Sequence, residues 1–269
     1  MPLTRIALGL EYDGTPFEGW QTQPHGRTVQ DALERAIAHF TGETIATICA
    51  GRTDAGVHAL GQVVHFDTSC VRPEQAWVRG VNRFLPEQIA VAWARPVTPD
   101  FHARYGARVR HYEYWILNQP VRSPLLDRRT GWVFRALEVE AMQAAAAALL
   151  GTHDFSSFRS AQCQSATAVR NLMACDVQRM PGALVRVRMS ANAFLHHMVR
   201  NIVGALVAVG TGRHDPAWMA QLLDARDRTR AEATIDPAGL YLVAVEYDAC
   251  FGLPQARSWP APINVAVNG

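Results

Sequence analysis

Between Arg5 and Tyr12 the apolar residues Ile6, Leu8, Leu10 and Tyr12 recur at every second position, which predicts a strand with one apolar face. Asp13-Gly14 breaks it as a turn. The period then changes. Val29, Leu33, Ile37 and Phe40 share one side of a helix that opens on a capping box, Thr28 with Asp31 three residues on, and stops at Gly42. Strands are predicted at Thr44–Cys49 and Gln62–Phe66, the second entered from a glycine-rich turn over residues 51–61. Pro73 opens a helix carrying Trp77, Val81 and Phe84 that Pro86 ends, and Ile89–Trp93 returns as a strand.

The second half repeats this theme. Tyr112, Tyr114 and Ile116 alternate with His111, Glu113, Trp115 and Leu117, as in a strand covered on both faces. Glu138–Leu150 is an alanine-rich helix closed by Gly151. Met173–Arg179 and Leu184–Met189 read as paired strands around the turn Met180-Pro181-Gly182. A long helix follows, with Leu195, Met198, Val199, Ile202, Val203 and Leu206 as its apolar stripe. Asp215-Pro216 starts another, and Tyr241–Tyr247 is the last strand. The segment 251–269 has no clear period and is expected to be an irregular tail. Mixed elements with hairpin-like strand pairs predict an α+β fold, mostly antiparallel. The repeated order suggests two related halves, residues 1–106 and 107–250.

Composition narrows the class. No stretch approaches the roughly 20 apolar residues of a membrane span, and Met1–Tyr12 has no signal-type apolar run, so a soluble, cytoplasmic protein is expected. Five scattered cysteines without a CxxC pair argue against a disulfide framework and a zinc site. Net charge is only +2, yet all 26 basic residues are arginine. A G+C-rich genome would produce that bias. It also suits planar, multidentate recognition of phosphate.

One stretch stands apart. Gly51-Arg52-Thr53-Asp54-Ala55-Gly56-Val57-His58-Ala59-Leu60-Gly61-Gln62 places three glycines within eleven residues, between two predicted strands. Glycine permits positive φ and close approach of backbone to a ligand. Arg52 and Asp54 project from this turn. An ionised carboxylate there can serve as nucleophile or base, with the arginine binding phosphate or keeping the carboxylate charged. The same turn would equally use Asp54 to cap backbone N–H groups.

Gly51-Arg-Thr-Asp-Ala-Gly-Val-His-Ala59 resembles the signature of the tRNA pseudouridine synthase A family, and the resemblance runs along nearly the whole chain. Tyr12-Asp-Gly-Thr-Pro-Phe-Glu-Gly-Trp-Gln-Thr-Gln23 and Thr28-Val-Gln30 are similar to its N-terminal blocks. Phe101-His-Ala-Arg104 and Arg110-His-Tyr-Glu-Tyr114 resemble the next. His153-Asp-Phe-Ser-Ser-Phe158, Phe194-Leu-His-His-Met-Val-Arg-Asn-Ile-Val-Gly204 and Gly239-Leu-Tyr-Leu242 resemble the C-terminal blocks. The approach Thr234-Ile-Asp-Pro237 departs from an expected alanine- and proline-rich pattern.

The resemblance implies two RNA-recognition-like (ferredoxin-like) halves with joined, mostly antiparallel sheets and a central cleft. It implies an isomerase that turns uridine into pseudouridine at positions 38, 39 and 40 of the tRNA anticodon stem-loop. The implied enzyme acts as a homodimer, without metal or organic cofactor, and DNA and membrane are not its partners. Asp54 falls on the catalytic aspartate, Arg52 on an arginine that helps extrude and hold the nucleotide, Tyr112 on the aromatic that stacks on the target base, and Arg200 on an arginine that pairs with the aspartate. The reaction breaks the C1′–N1 bond, turns the uracil and rejoins it through C5. Asp54 would either attack ribose C1′ or remove a ribose proton to give a glycal-like intermediate. On residues alone, Tyr112 reads first as a core residue of its strand, and Arg200 as a solvated helix residue. Arg200 lies off the apolar stripe, on the edge of His196. His196 and His197, as helix neighbours about 100° apart, would make a poor metal-chelating pair. His58 and His65 flank the glycine-rich turn and its strand with no third ligand in view.

Overall fold

The computed structural model describes residues 3–254. In chain order the first elements are β1 (Thr4–Tyr12), α1 (Val29–Thr41), β2 (Ile48–Cys49), β3 (His58–Thr68), α2 (Glu74–Asn82) and β4 (Ile89–Val97). They are followed by β5 (Val109–Asn118), β6 (Gly131–Val133), α3 (Val139–Ala147), β7 (Gly151–Asp154), β8 (Val169–Met180) and β9 (Leu184–Ala191). The last are α4 (Met198–Gly210), α5 (Trp218–Ala225) and β10 (Leu240–Glu246). The fold is α+β with mostly antiparallel pairing. The described chain forms two compact units. One holds the residues up to Val109 and those from Tyr241 on, and the other holds Arg110–Leu240. Among the described residues no helix is long and apolar enough to cross a membrane.

In the first unit β1 lies between β4 and β3, antiparallel to both. Its even positions behave as expected: Ile6, Leu8 and Leu10 are buried, and across the register they meet Phe66, Val64 and Gln62 of β3. Phe66 packs edge-on to Trp77 of α2, which also meets Phe40 of α1, so this face carries the helices. The odd positions are covered too. Ala7 and Val63 join Phe101 and Ala103, with Trp93, Val245, Tyr247 and Phe251 packed against them. Period-two alternation identified the strand but not the second covered face, because Ala7 and Gly9 carry no apolar signal of their own.

Helix α1 follows its local code. Thr28 accepts from the Asp31 N–H, and the Asp31 side chain reaches back to the Thr28 N–H. Burial would raise the Asp31 carboxyl, but hydrogen bonds from Thr22 and Thr28 outweigh it and hold it below the usual range. Gly42 closes the helix in the left-handed conformation.

Several expectations need correction. Only Ile48–Cys49 of Thr44–Cys49 is strand, where it pairs with His65 and Val64. Strand β3 begins at His58 rather than Gln62, because His58 and Ala59 pair in parallel with Tyr241 and Leu242, far away in sequence. Phe84 lies beyond α2 and stacks with His39. Helix α4 starts at Met198, not Leu195, since His197 sits at φ 63°.

In the second unit β9 lies between β5 and β8, antiparallel to both, and β7 adds beyond β8. Residues 114–117 of β5 are buried on both faces, as predicted. The short β6 runs parallel to the end of β5. Of the segment 251–269, Phe251 ends a 3-10 turn and the part after Pro254 lies outside the described residues.

Candidate active site

The Asp54 loop connects β2 to β3 and is fixed from the N-terminal side of the chain. The Trp20 N–H donates to the Thr53 carbonyl at 2.9 Å, and the Tyr12 and Thr53 hydroxyls are 2.8 Å apart. Gln62, fully buried, donates to the Gly51 carbonyl at 2.7 Å. The turn closes through the Asp54 carbonyl, which accepts from the Val57 N–H at 3.1 Å. Gly19, at φ 86°, passes so close that a Cβ there would lie 2.9 Å from the Thr53 carbonyl oxygen. Of the three glycines inside the motif only Gly56 takes a positive φ, 77°. The consequence is a buried Thr53 flanked by an exposed Arg52 and a half-buried Asp54. The two side chains predicted to carry chemistry therefore both reach the surface from a loop whose backbone is held by residues 12–20 and 62.

His58 belongs to this scaffold. It stacks on Tyr241 at 4.6 Å, and its Nδ1 accepts the Gly14 N–H at 3.1 Å. The Asp13 carboxylate lies equally near that nitrogen. The backbone N–H can only donate, so Nδ1 is the acceptor and the Asp13 contact is no ion pair through that atom. Burial, opposed by the Arg52 and Arg104 charges, pushes the neighbouring Cys49 thiol up to about 12, which keeps it protonated.

In the second unit Tyr112 sits on β5 opposite Met189, 8% exposed, with Phe194 edge-on at 5.0 Å. Arg200 lies in the first turn of α4, half-buried, and its Nε donates to the Ile235 carbonyl at 2.9 Å. A cation at a helix N-terminus opposes the helix dipole, by about 0.3–1 kcal/mol at exposed sites. Helix stability is thus no reason for an arginine at this position. The loop that departs from the expected pattern, Thr234–Pro237, supplies that carbonyl, and the Asp236 carbonyl takes the Tyr114 hydroxyl at 2.7 Å. Buried Asn201 ties α4 to the same loop. Its Oδ1 accepts from Thr234 at 2.6 Å and from Arg228 at 3.1 Å, while its Nδ2 donates to the Phe158 carbonyl at 2.8 Å. Asn201 lies about 60° outside the apolar stripe, beyond Met198; a polar residue bordering that stripe was the available signal.

The geometric argument about the histidines does not survive. His196 precedes α4, so it shares no helix edge with Arg200, and the His196 and His197 rings lie 4.0 Å apart. His65 lies within β3, with Nδ1 accepting the Ala103 N–H.

A profile of the family described as tRNA pseudouridine synthase matches residues 10–106 and 145–248. The chain belongs to the tRNA pseudouridine synthase family. Among its relatives, a tRNA pseudouridine synthase A of Janthinobacterium sp. is 56% identical over 257 residues, covering 93% of this chain and 94% of that protein. One of Paraburkholderia phymatum is 54% identical over 260 residues, covering 97% of each. Among solved structures, a chain of a Cbf5-Nop10-Gar1 complex aligns with a TM-score of 0.38 at 10% identity, over 88% of this chain and 48% of that one, a likeness too low to bear on the fold. The pseudouridine synthase match includes the Asp54 loop and the segments that hold it, and the α4 region with Arg200. The arm between Asn118 and Val139 falls in the gap between its two matched parts.

Proposed function

We propose that the chain isomerises uridine to pseudouridine in tRNA, at positions 38, 39 and 40 of the anticodon stem-loop, with Asp54 as the catalytic carboxylate. Family membership over nearly the whole chain supports the reaction. The presentation of Asp54 supports its role, since a half-buried carboxylate beside an exposed arginine is open to a nucleotide yet held by a fixed loop. Arg52 helps extrude and hold the nucleotide, Tyr112 stacks on the uracil, and Arg200 balances the charge of the aspartate. Extruding a base costs a few kcal/mol. Stacking on an aromatic ring returns roughly 1–3 kcal/mol, so no external energy source is needed. The same reading includes two RNA-recognition-like halves about a central cleft, a cytoplasmic homodimer and no cofactor.

The test is Asp54→Asn, a nearly isosteric change, assayed on an anticodon stem-loop and on full-length tRNA. The variant should retain binding and make no pseudouridine. Product at the parent rate would remove Asp54 from the chemistry, and no product from the parent with any tRNA would remove the function.

A metal-dependent reading has one observation in its favour, the paired rings of His196 and His197. Turnover in excess chelator separates the two. The proposed reaction runs at its full rate, whereas a loss restored by a divalent ion would point to the histidines.

A further inference from the structure

Between β5 and α3 the chain makes an arm, residues 119–136, that the proposed chemistry does not use. Its base is pinned by Asn118. That amide donates to the Val133 carbonyl at 3.0 Å and the Arg135 carbonyl at 2.6 Å, and its oxygen accepts from the Leu137 N–H at 3.2 Å. Trp132 is fixed from within, its Nε1–H donating to the Gln119 carbonyl at 2.9 Å. On this platform Trp132 is 47% and Phe134 57% exposed, their ring centroids 6.2 Å apart. The Arg135 guanidinium lies 5.5 Å from the Phe134 ring centre.

The charge is the second observation. The arm holds Arg122, Arg128, Arg129 and Arg135 against Asp127 alone, a formal +3 in a chain whose net charge is +2. All the other residues together are therefore formally −1. Exposed aromatic faces interleaved with arginine suit a partner that is both polyanionic and rich in flat rings, which describes RNA with an unpaired base. Residue Tyr112 is six positions from Asn118 along β5. The arm then folds back as β6, where Trp132 pairs with Leu117, five positions from Tyr112; at about 3.3 Å per residue its ring stands roughly 17 Å along the strand from that residue.

We propose that residues 119–136 form a second RNA-contact surface, on which an unpaired tRNA base stacks against Trp132 and Phe134 while the arginines hold adjacent phosphates. This rests on the reading of tRNA as substrate. The rival occupant is a second copy of the chain, since Val121 and Leu125 on the same arm are also exposed.

The experiment measures tRNA dissociation constants against salt for the parent chain, Trp132→Ala/Phe134→Ala, Arg122→Gln/Arg135→Gln, and the conservative Trp132→Phe/Phe134→Tyr. Loss of stacking should weaken binding about fivefold or more, and the conservative pair should restore it. The arginine pair should lower the slope of log affinity against log salt by about 1.4–1.8. Affinity and slope equal to the parent in all variants would overturn the proposal. So would light scattering in which the alanine pair dissociates an assembled parent and the lost affinity tracks that dissociation. A parent that binds no tRNA would instead sink the functional reading beneath it.

Discussion

His65 illustrates how one buried side chain links fold to solution conditions. Its ring is 2% exposed, and its Nδ1 accepts the Ala103 N–H at 3.1 Å, joining β3 to the Phe101–Ala103 segment that covers the sheet. Burial first, and then the positive neighbours His102 and Arg5, lower its pKa to about 4, against the pull of Asp67. The unfolded chain titrates near 6.5. Between these values the unfolded state holds a proton that the native state rejects, so native stability is present above about pH 6.5 and is lost as the pH falls towards 4. The full effect is on the order of 3 kcal/mol. His102, also lowered by burial, acts in the same direction. Asp31 and Asp67 are held below their unfolded values, so their contribution is lost only at still lower pH. Urea unfolding should therefore show a lower midpoint at pH 5.0 than at pH 7.5. His65→Gln, which keeps an acceptor, should flatten that difference while lowering stability at pH 7.5. Equal slopes for the two chains would discard this account.

At the scale of elements, legibility followed the range of the interactions. Helix α1 was readable because its start, stripe and stop lie within the segment itself: Thr28, Asp31, Leu33, Ile37 and Gly42. The true start of β3 at His58 was not readable, since its partner Tyr241 lies at the other end of the chain. Strands β6 and β7 have three and four residues, too few to establish a period. Helix α4 was placed one turn early because Leu195 continues the apolar spacing while the backbone breaks at His197. In the candidate site, Arg52 and Asp54 stood out through their glycine-rich loop. Tyr112 looked like any strand residue and Arg200 like any helix residue, so only the family resemblance marked them. Asn201 was missed, and it gives the test at this scale. Asn201→Leu keeps the branched shape but leaves the Phe158 carbonyl, the Thr234 hydroxyl and Arg228 each short of a bond. The buried Phe158 carbonyl so stranded costs about 1–3 kcal/mol, while the half-buried Thr234 and Arg228 keep a bond to each other. A loss of about 1–3 kcal/mol in chemical denaturation is expected, and a variant as stable as its parent would show that the network carries little.

The whole molecule presents an unusual chemical surface to a nucleic acid, because its 26 cationic side chains are all guanidinium groups. Guanidinium is planar, stays charged at any pH the protein tolerates and binds phosphate through two parallel hydrogen bonds. A net charge of +2 gives little attraction at a distance, and salt at 0.15 M screens charge beyond about 8 Å. On the proposed reading, affinity for tRNA draws on arginines placed against phosphates at contact, Arg52 and the arm of residues 119–136 among them. Reagents specific for each cation can test this on the intact protein. An amine-acylating ester finds no lysine and should leave tRNA affinity unchanged. Phenylglyoxal, applied to the protein and removed before RNA is added, should weaken binding at least tenfold, and less so when tRNA shields the protein during modification and is then washed away. Acylation that abolished binding, or arginine modification that spared it, would show that affinity comes from elsewhere than guanidinium–phosphate contact.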